Sequence, residues 1–164
     1  MNKILCMLLV CLLLTGCAAS APNAESPTEP IHETQVTEPE ATTTKSTFKF
    51  LLYTPNDNLD AFITTELEQD ELDIIGALTE ARVLNENITE NSLIQEGAVL
   101  KLDLNSAFAD LIYTQGTTGE LMIMGCLVNT YLSAYGAESL ILTVDGEILE
   151  SGHVIYDFPM GYYE

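Results

Sequence analysis

The chain has 164 residues and sets 25 acidic side chains against 5 Lys and Arg, for a formal charge of −20. Its length suits one folded domain of ordinary size. The charge excludes nucleic acid as a natural partner, since phosphate binding needs a basic patch and no two Lys or Arg residues are adjacent.

Anionic lipid headgroups repel such a chain too, so any hold on a membrane must be covalent. The N-terminus offers that hold. Lys3 precedes an apolar run from Ile4 to Leu14. A helix that spans a bilayer takes about 20 apolar residues, so this shorter run reads as the core of a secretory signal. It ends in Leu14-Thr15-Gly16-Cys17, which resembles a bacterial lipobox. The resemblance implies cleavage between Gly16 and Cys17 after the Cys17 thiol has taken a lipid such as palmitate. Residues 1–16 are then the signal peptide. Cys6 and Cys11 leave with it, and Cys126 is the one thiol left free. An exported chain with one thiol has no internal disulfide, and one cysteine with two distant histidines makes no zinc site.

Residues 17–47 form a tether behind the lipidated cysteine. Pro22, Pro27, Pro30 and Pro39 alternate with five glutamates among Ser and Thr, and only Ile31 and Val36 are large and aliphatic. Such a stretch cannot bury enough surface to offset its ordering entropy, so it is expected to be disordered. As a flexible coil it spans roughly 30 Å. His32 lies within it as a solvated side chain.

Residues 48–164 are long enough for one sizeable core. Phe48 to Tyr53 reads as a strand stopped at the turn Pro55-Asn56-Asp57-Asn58, and a weaker strand is expected over 61–67. A helix follows over 70–82, with Leu72, Ile75, Leu78 and Thr79 on one face and Asp70, Glu71 and Asp73 at its positive end. The clearest strand is 98–104, where Ala98, Leu100, Leu102 and Leu104 face one way and Val99, Lys101 and Asp103 the other. Thr117-Thr118-Gly119-Glu120 has the form of a capping box, with Thr117 as cap and Glu120 reaching back. The helix it opens carries Leu121, Met124, Val128, Leu132 and Tyr135 at helical spacing, and Gly136 is placed as its left-handed stop. Last, 140–144 turns at Asp145-Gly146, a type I′ signal, into 147–150. The alternation predicts an α+β domain, a small mixed sheet with two helices packed on one face.

Chemistry has few footholds in this pattern. Gly-x-Ser-x-Gly, Walker, dinucleotide and His-Glu-x-x-His motifs are absent from the sequence. His153, the domain's histidine, reads as a loop residue, and Cys126 as a small apolar residue on a core helix. Twenty acids fall in the domain, but their runs lie at turns and helix starts, where solvated acids are expected. Asn56 to Asp60 lacks the spacing of a calcium loop and reads as a turn. The expectation is therefore a non-enzyme with no catalytic residues, no metal and no cofactor.

Two apolar features exceed the needs of a core. Leu51, Tyr53 and Ile141 fall on the strand faces opposite the main apolar set. The final nine residues hold four of the chain's twelve aromatics, Tyr156, Phe158, Tyr162 and Tyr163. The tail either folds back over the open sheet face or, with those three residues, forms a docking surface for another protein.

Four stretches in order, Leu51 to Asn56, Gly97 to Phe108, Gly119 to Leu132 with its Val128-Asn129-Thr130, and Leu142 to Glu147, resemble the GerMN domain, named for a lipoprotein of spore formation and germination. The resemblance implies an exported, membrane-anchored accessory protein of a Gram-positive-type bacterium, without catalytic residues and similar to the ring-building modules of envelope-spanning complexes. This chain departs from the family in carrying one copy rather than two, and in reading Ala81-Arg82-Val83-Leu84 where a Gly-Pro often follows the first helix. The expected function is a scaffold of a cell-envelope assembly, linked to sporulation or germination. Its partner is an envelope protein or a second copy of itself, at the extracytoplasmic face of the cell membrane, and no small-molecule substrate is identified. The alternative is a module binding wall glycan or peptide. Against it stand the absence of tryptophan for sugar stacking and a charge that teichoic acids would repel. A hydrolase would need a concave pocket with converging carboxylates or His153.

Overall fold

A computed structural model describes residues 46–164. The signal peptide, Cys17 and all but the last two residues of the tether lie outside the described residues.

The domain opens with a hairpin, β1 (Phe48–Pro55) and β2 (Phe62–Gln69), paired antiparallel along its whole length. Asn56 closes the connection: its side chain accepts from the Asp60 amide at 3.1 Å and donates to the Asp60 carboxylate at 2.7 Å. The segment read as a turn is thus a turn, held by its own polar groups.

Helix α1 (Ile74–Glu80) is shorter than the span predicted from its apolar face. Asp73 caps it by accepting from the Gly76 amide at 2.7 Å, which leaves Asp70 and Glu71 outside the helix. Its end is a Schellman motif: the Arg82 amide donates to Thr79, the Val83 amide to Leu78, and Arg82 takes the left-handed position at φ 61°. Glycine is usual there, and an arginine takes the position here. Val83 and Leu78 are both buried, the apolar contact that accompanies the motif.

The second sheet has the order β3-β4-β5-β6, from β3 (Glu90–Glu96), β4 (Val99–Leu104), β5 (Ser139–Val144) and β6 (Glu147–Ile148). β4 and β5 are parallel, so a crossover must join them. It contains α2 (Ser106–Tyr113) and α3 (Thr117–Tyr135). Leu100, Leu102, Leu104, Leu140, Leu142 and Val144 form the buried face of the central strand pair. The Asp145-Gly146 turn has φ of 50° and 81°, as the type I′ reading requires.

The α+β class holds, with two changes to the expected packing. The first hairpin does not join the mixed sheet; it forms a sheet of its own against α3. Two further elements, β3 and α2, complete the domain. β3 has a single half-buried residue, Leu93, so no alternation marked it.

α3 is buried on nearly every side, with a continuous buried run from Met124 to Leu132. A helix apolar all round belongs inside a fold. Its polar residues in that run each have a task. Thr130 accepts the Tyr53 amide at 3.0 Å, and Ser133, a turn further on, accepts the Leu51 amide at 3.0 Å. These two hydroxyls satisfy the edge of β1 that β2 does not. Gly125 faces the Phe62 ring so closely that an added Cβ would lie 2.2 Å from it. A helical glycine costs about 1 kcal/mol, and here it lets the hairpin close on the helix.

Candidate functional site

The tail after β6 has little regular structure, yet it is firmly held. Ser151 folds it back by accepting the amides of His153 and Val154 at 3.2 and 3.0 Å. Tyr156 then donates its amide to Leu149, and Met160 exchanges both backbone bonds with Leu140 at 2.8 Å. The tail therefore extends the sheet at the edge of β5 and covers no open sheet face at those bonds.

From that edge it reaches α3 at two points. Buried Asn129 accepts the Tyr163 amide at 2.8 Å and donates to the Tyr163 carbonyl at 3.0 Å, using both ends of its amide. The Tyr156 hydroxyl donates to Glu120 Oε1 at 2.6 Å. Glu120 is only 2 % exposed, and its other oxygen, Oε2, is buried with no hydrogen-bond partner. Glu120 helps line a cavity of about 220 Å³ whose other walls are Thr117, Leu121, His153, Val154, Tyr156, Phe158 and Tyr163. Burial and the bond to Glu120 both push the Tyr156 phenol above its ordinary range.

The capping box is not formed. Gly116 is the N-cap, so the helix begins one residue earlier than the motif predicts. Glu120 points inward to Tyr156, and Leu121, expected at the start of the apolar stripe, is 48 % exposed. Gly136 is the left-handed stop as expected, at φ 60°.

The residues predicted as an interaction surface do not stay together. Tyr156 is a correction: at 4 % exposure it is a core residue, because its ring lies under the tail and its hydroxyl is committed to Glu120. Leu51, Tyr53, Phe158 and Tyr162 lie at or near the surface, and the Tyr53 and Tyr162 rings meet with centroids 6.4 Å apart. Tyr163 is half-buried, held by Asn129. Ile141 is half-buried in the other sheet, on the outer face, in register with Lys101 of β4, which in turn pairs with Ile94 of β3. The tail joins Tyr162 to the hairpin, while Ile141 belongs to a separate surface.

No protein-family model matches the chain, and no curated protein matches it in sequence. Two solved structures are similar to it. One is a protein of Clostridium perfringens described as a lipoprotein, 15 % identical with a TM-score of 0.44, over 71 % of this chain and 87 % of that one. The other is the tandem GerMN domains of the sporulation protein GerM from Bacillus subtilis. It is 13 % identical with a TM-score of 0.49, over 79 % of this chain and 50 % of that one.

Cys126 sits in the buried middle of α3, and burial pushes its thiol up to about 12. Among the described residues no helix is long and apolar enough to cross a membrane. The residue that sequence reasoning missed is Glu120. Its signal was there: it lies four residues before Met124 and eight before Val128, in line with the helix's own core positions.

Proposed function

We propose that this chain is a lipid-anchored module of the GerMN type that works by protein contact rather than catalysis, at the outer face of the cell membrane. The lipobox at Cys17 and the four ordered stretches of the sequence support the family and the anchor. The observation that carries the contact role is the Tyr53–Tyr162 pair. Two segments more than a hundred residues apart in sequence bring aromatic rings together at the surface, with Tyr162 48 % exposed and Leu51 37 % exposed nearby on β1. Tyrosine combines large contact area with little conformational freedom to lose, and it is enriched in interface cores. Anchoring the domain by a lipid raises its effective concentration for neighbours on the same membrane. A role in spore formation or germination, with an envelope protein or a second copy as partner, is the biological form of this reading.

The test is a photocrosslinking residue placed at Tyr162, with one at Glu86 as a distant control, in living cells during growth and starvation. One discrete protein adduct from Tyr162, lost on Tyr53→Ala and on Cys17→Ala, supports the scaffold. Recovery of wall fragments with no protein adduct sinks it in favour of a wall-binding module. That second reading draws on a shallow cavity of about 360 Å³ formed by residues 158–163, three of them aromatic.

A further inference from the structure

A carboxylate has about four acceptor sites, and Glu120 uses one, for the Tyr156 hydroxyl. Its second oxygen is buried without a partner, and such a group costs free energy until something donates to it. The positive end of α3 steadies the negative charge but supplies no hydrogen bond to Oε2. Among the described residues no lysine or arginine answers it, since Lys49, Arg82 and Lys101 do not line the cavity, and Thr117 and His153 line it without bonding Oε2. Apart from Thr117 and His153, the rest of the cavity lining is apolar or aromatic, with Leu121, Val154 and Phe158 still exposed at the rim.

We propose that the cavity between the first turn of α3 and the C-terminal tail is a binding site for a primary ammonium group carried on a short aliphatic stem. The ammonium pairs with the Glu120 carboxylate, and since Oε2 is shut off from water, binding turns that carboxylate toward the cavity. Tyr156 and Phe158, with ring centroids 6.3 Å apart, and Tyr163 offer aromatic surface to the cation and its adjoining methylenes. The stem lies along Leu121 and Val154. A volume of about 220 Å³ equals the share of roughly seven liquid waters, enough for a chain of five or six heavy atoms. A neutral hydroxyl on the same stem fills the cavity equally well but brings no charge. That difference separates this site from a greasy pocket. The chemistry is shared by a free alkylamine and by a lysine side chain of another protein, and the site stands whether or not the chain acts as a scaffold.

The experiment is a titration of the purified full-length protein, followed by NMR of its Leu and Val methyl groups. The probes are n-butylammonium, n-butanol and a blocked pentapeptide with one central lysine. Saturable shifts of the Leu121 and Val154 methyls by butylammonium are expected, with butanol at least about ten-fold weaker, the factor set by one charge-assisted bond. Glu120→Gln keeps an acceptor for Tyr156 and should abolish the preference for amine over alcohol. Phe158→Ala removes an exposed wall and should weaken both small probes, which keeps the test open if Glu120→Gln fails to fold. Binding of butylammonium alone assigns the site to a free amine, and binding of the peptide assigns it to a protein lysine. Equal binding of butanol and butylammonium, no binding of either amine, or amine shifts scattered over the acidic surface and erased by salt would overturn the proposal.

Discussion

The first hairpin and the C-terminal tail both close on α3, and they do so by opposite means. The hairpin satisfies its own backbone through β1–β2 pairing, then leans on the helix with one ring and two amide bonds. The tail has almost no pairing of its own. It completes polar groups already buried in the helix: both ends of Asn129 and one oxygen of Glu120. An irregular segment can therefore matter more to the core than a complete hairpin, because a buried polar group left unpaired costs more than an exposed amide returned to water.

Removing Tyr156 to Glu164 is the most severe test of that contrast. It strips buried Tyr156 and Met160 from the core and orphans Asn129 and Glu120, so a loss above about 4 kcal/mol is expected. Thermal melting by circular dichroism should fall by about 15 °C or more, and an unchanged melt would show that the tail is not needed by the core. Gly125→Ala comes next, at about 1–3 kcal/mol, because its Cβ displaces Phe62. Hydrogen exchange should quicken in β1 and β2 first, and uniform loss across β4 and β5 would show that the hairpin is not a separate layer.

The third test sharpens the tail's side of the comparison through pH. Burial and Glu120 hold the Tyr156 proton above the ordinary phenol value of 10.0, so its stabilising share is complete below that pH. It is lost as pH rises and the unfolded chain ionises, by about 1 kcal/mol for each unit above ~10. Tyr156→Phe should flatten that part of the alkaline stability profile measured in urea. The smallest effect belongs to Ser133→Ala, which frees only the exposed Leu51 amide and should cost under about 1 kcal/mol in the same melts.

Where the pattern was local, the sequence could be read directly. The alternation of Leu100, Leu102 and Leu104 made β4, Asp145-Gly146 made its turn, and Gly136 ended α3, because each rests on neighbouring dihedrals or one strand's two faces. β3 escaped notice because an edge strand with one half-buried side chain carries no period. Glu120 was misread because a glutamate three residues after Thr117 suits a capping box, and only Tyr156, 36 residues on, draws it inward instead. The tail's aromatics were visible, but not which of them would be spent inside.

By itself the sequence determined the α+β class of the domain and most of its strands and turns, and it is the whole ground for expecting a lipobox leader and an acidic tether. All of these follow from composition or from periods of two and 3.6 residues. Only the tertiary structure decided that the hairpin stands apart from the sheet, that Asn129 and Thr130 join α3 to two distant segments, and that Glu120 lies buried with one oxygen unmet. Those outcomes depend on partners 34 to 77 residues away, and no local period encodes a partner at that distance.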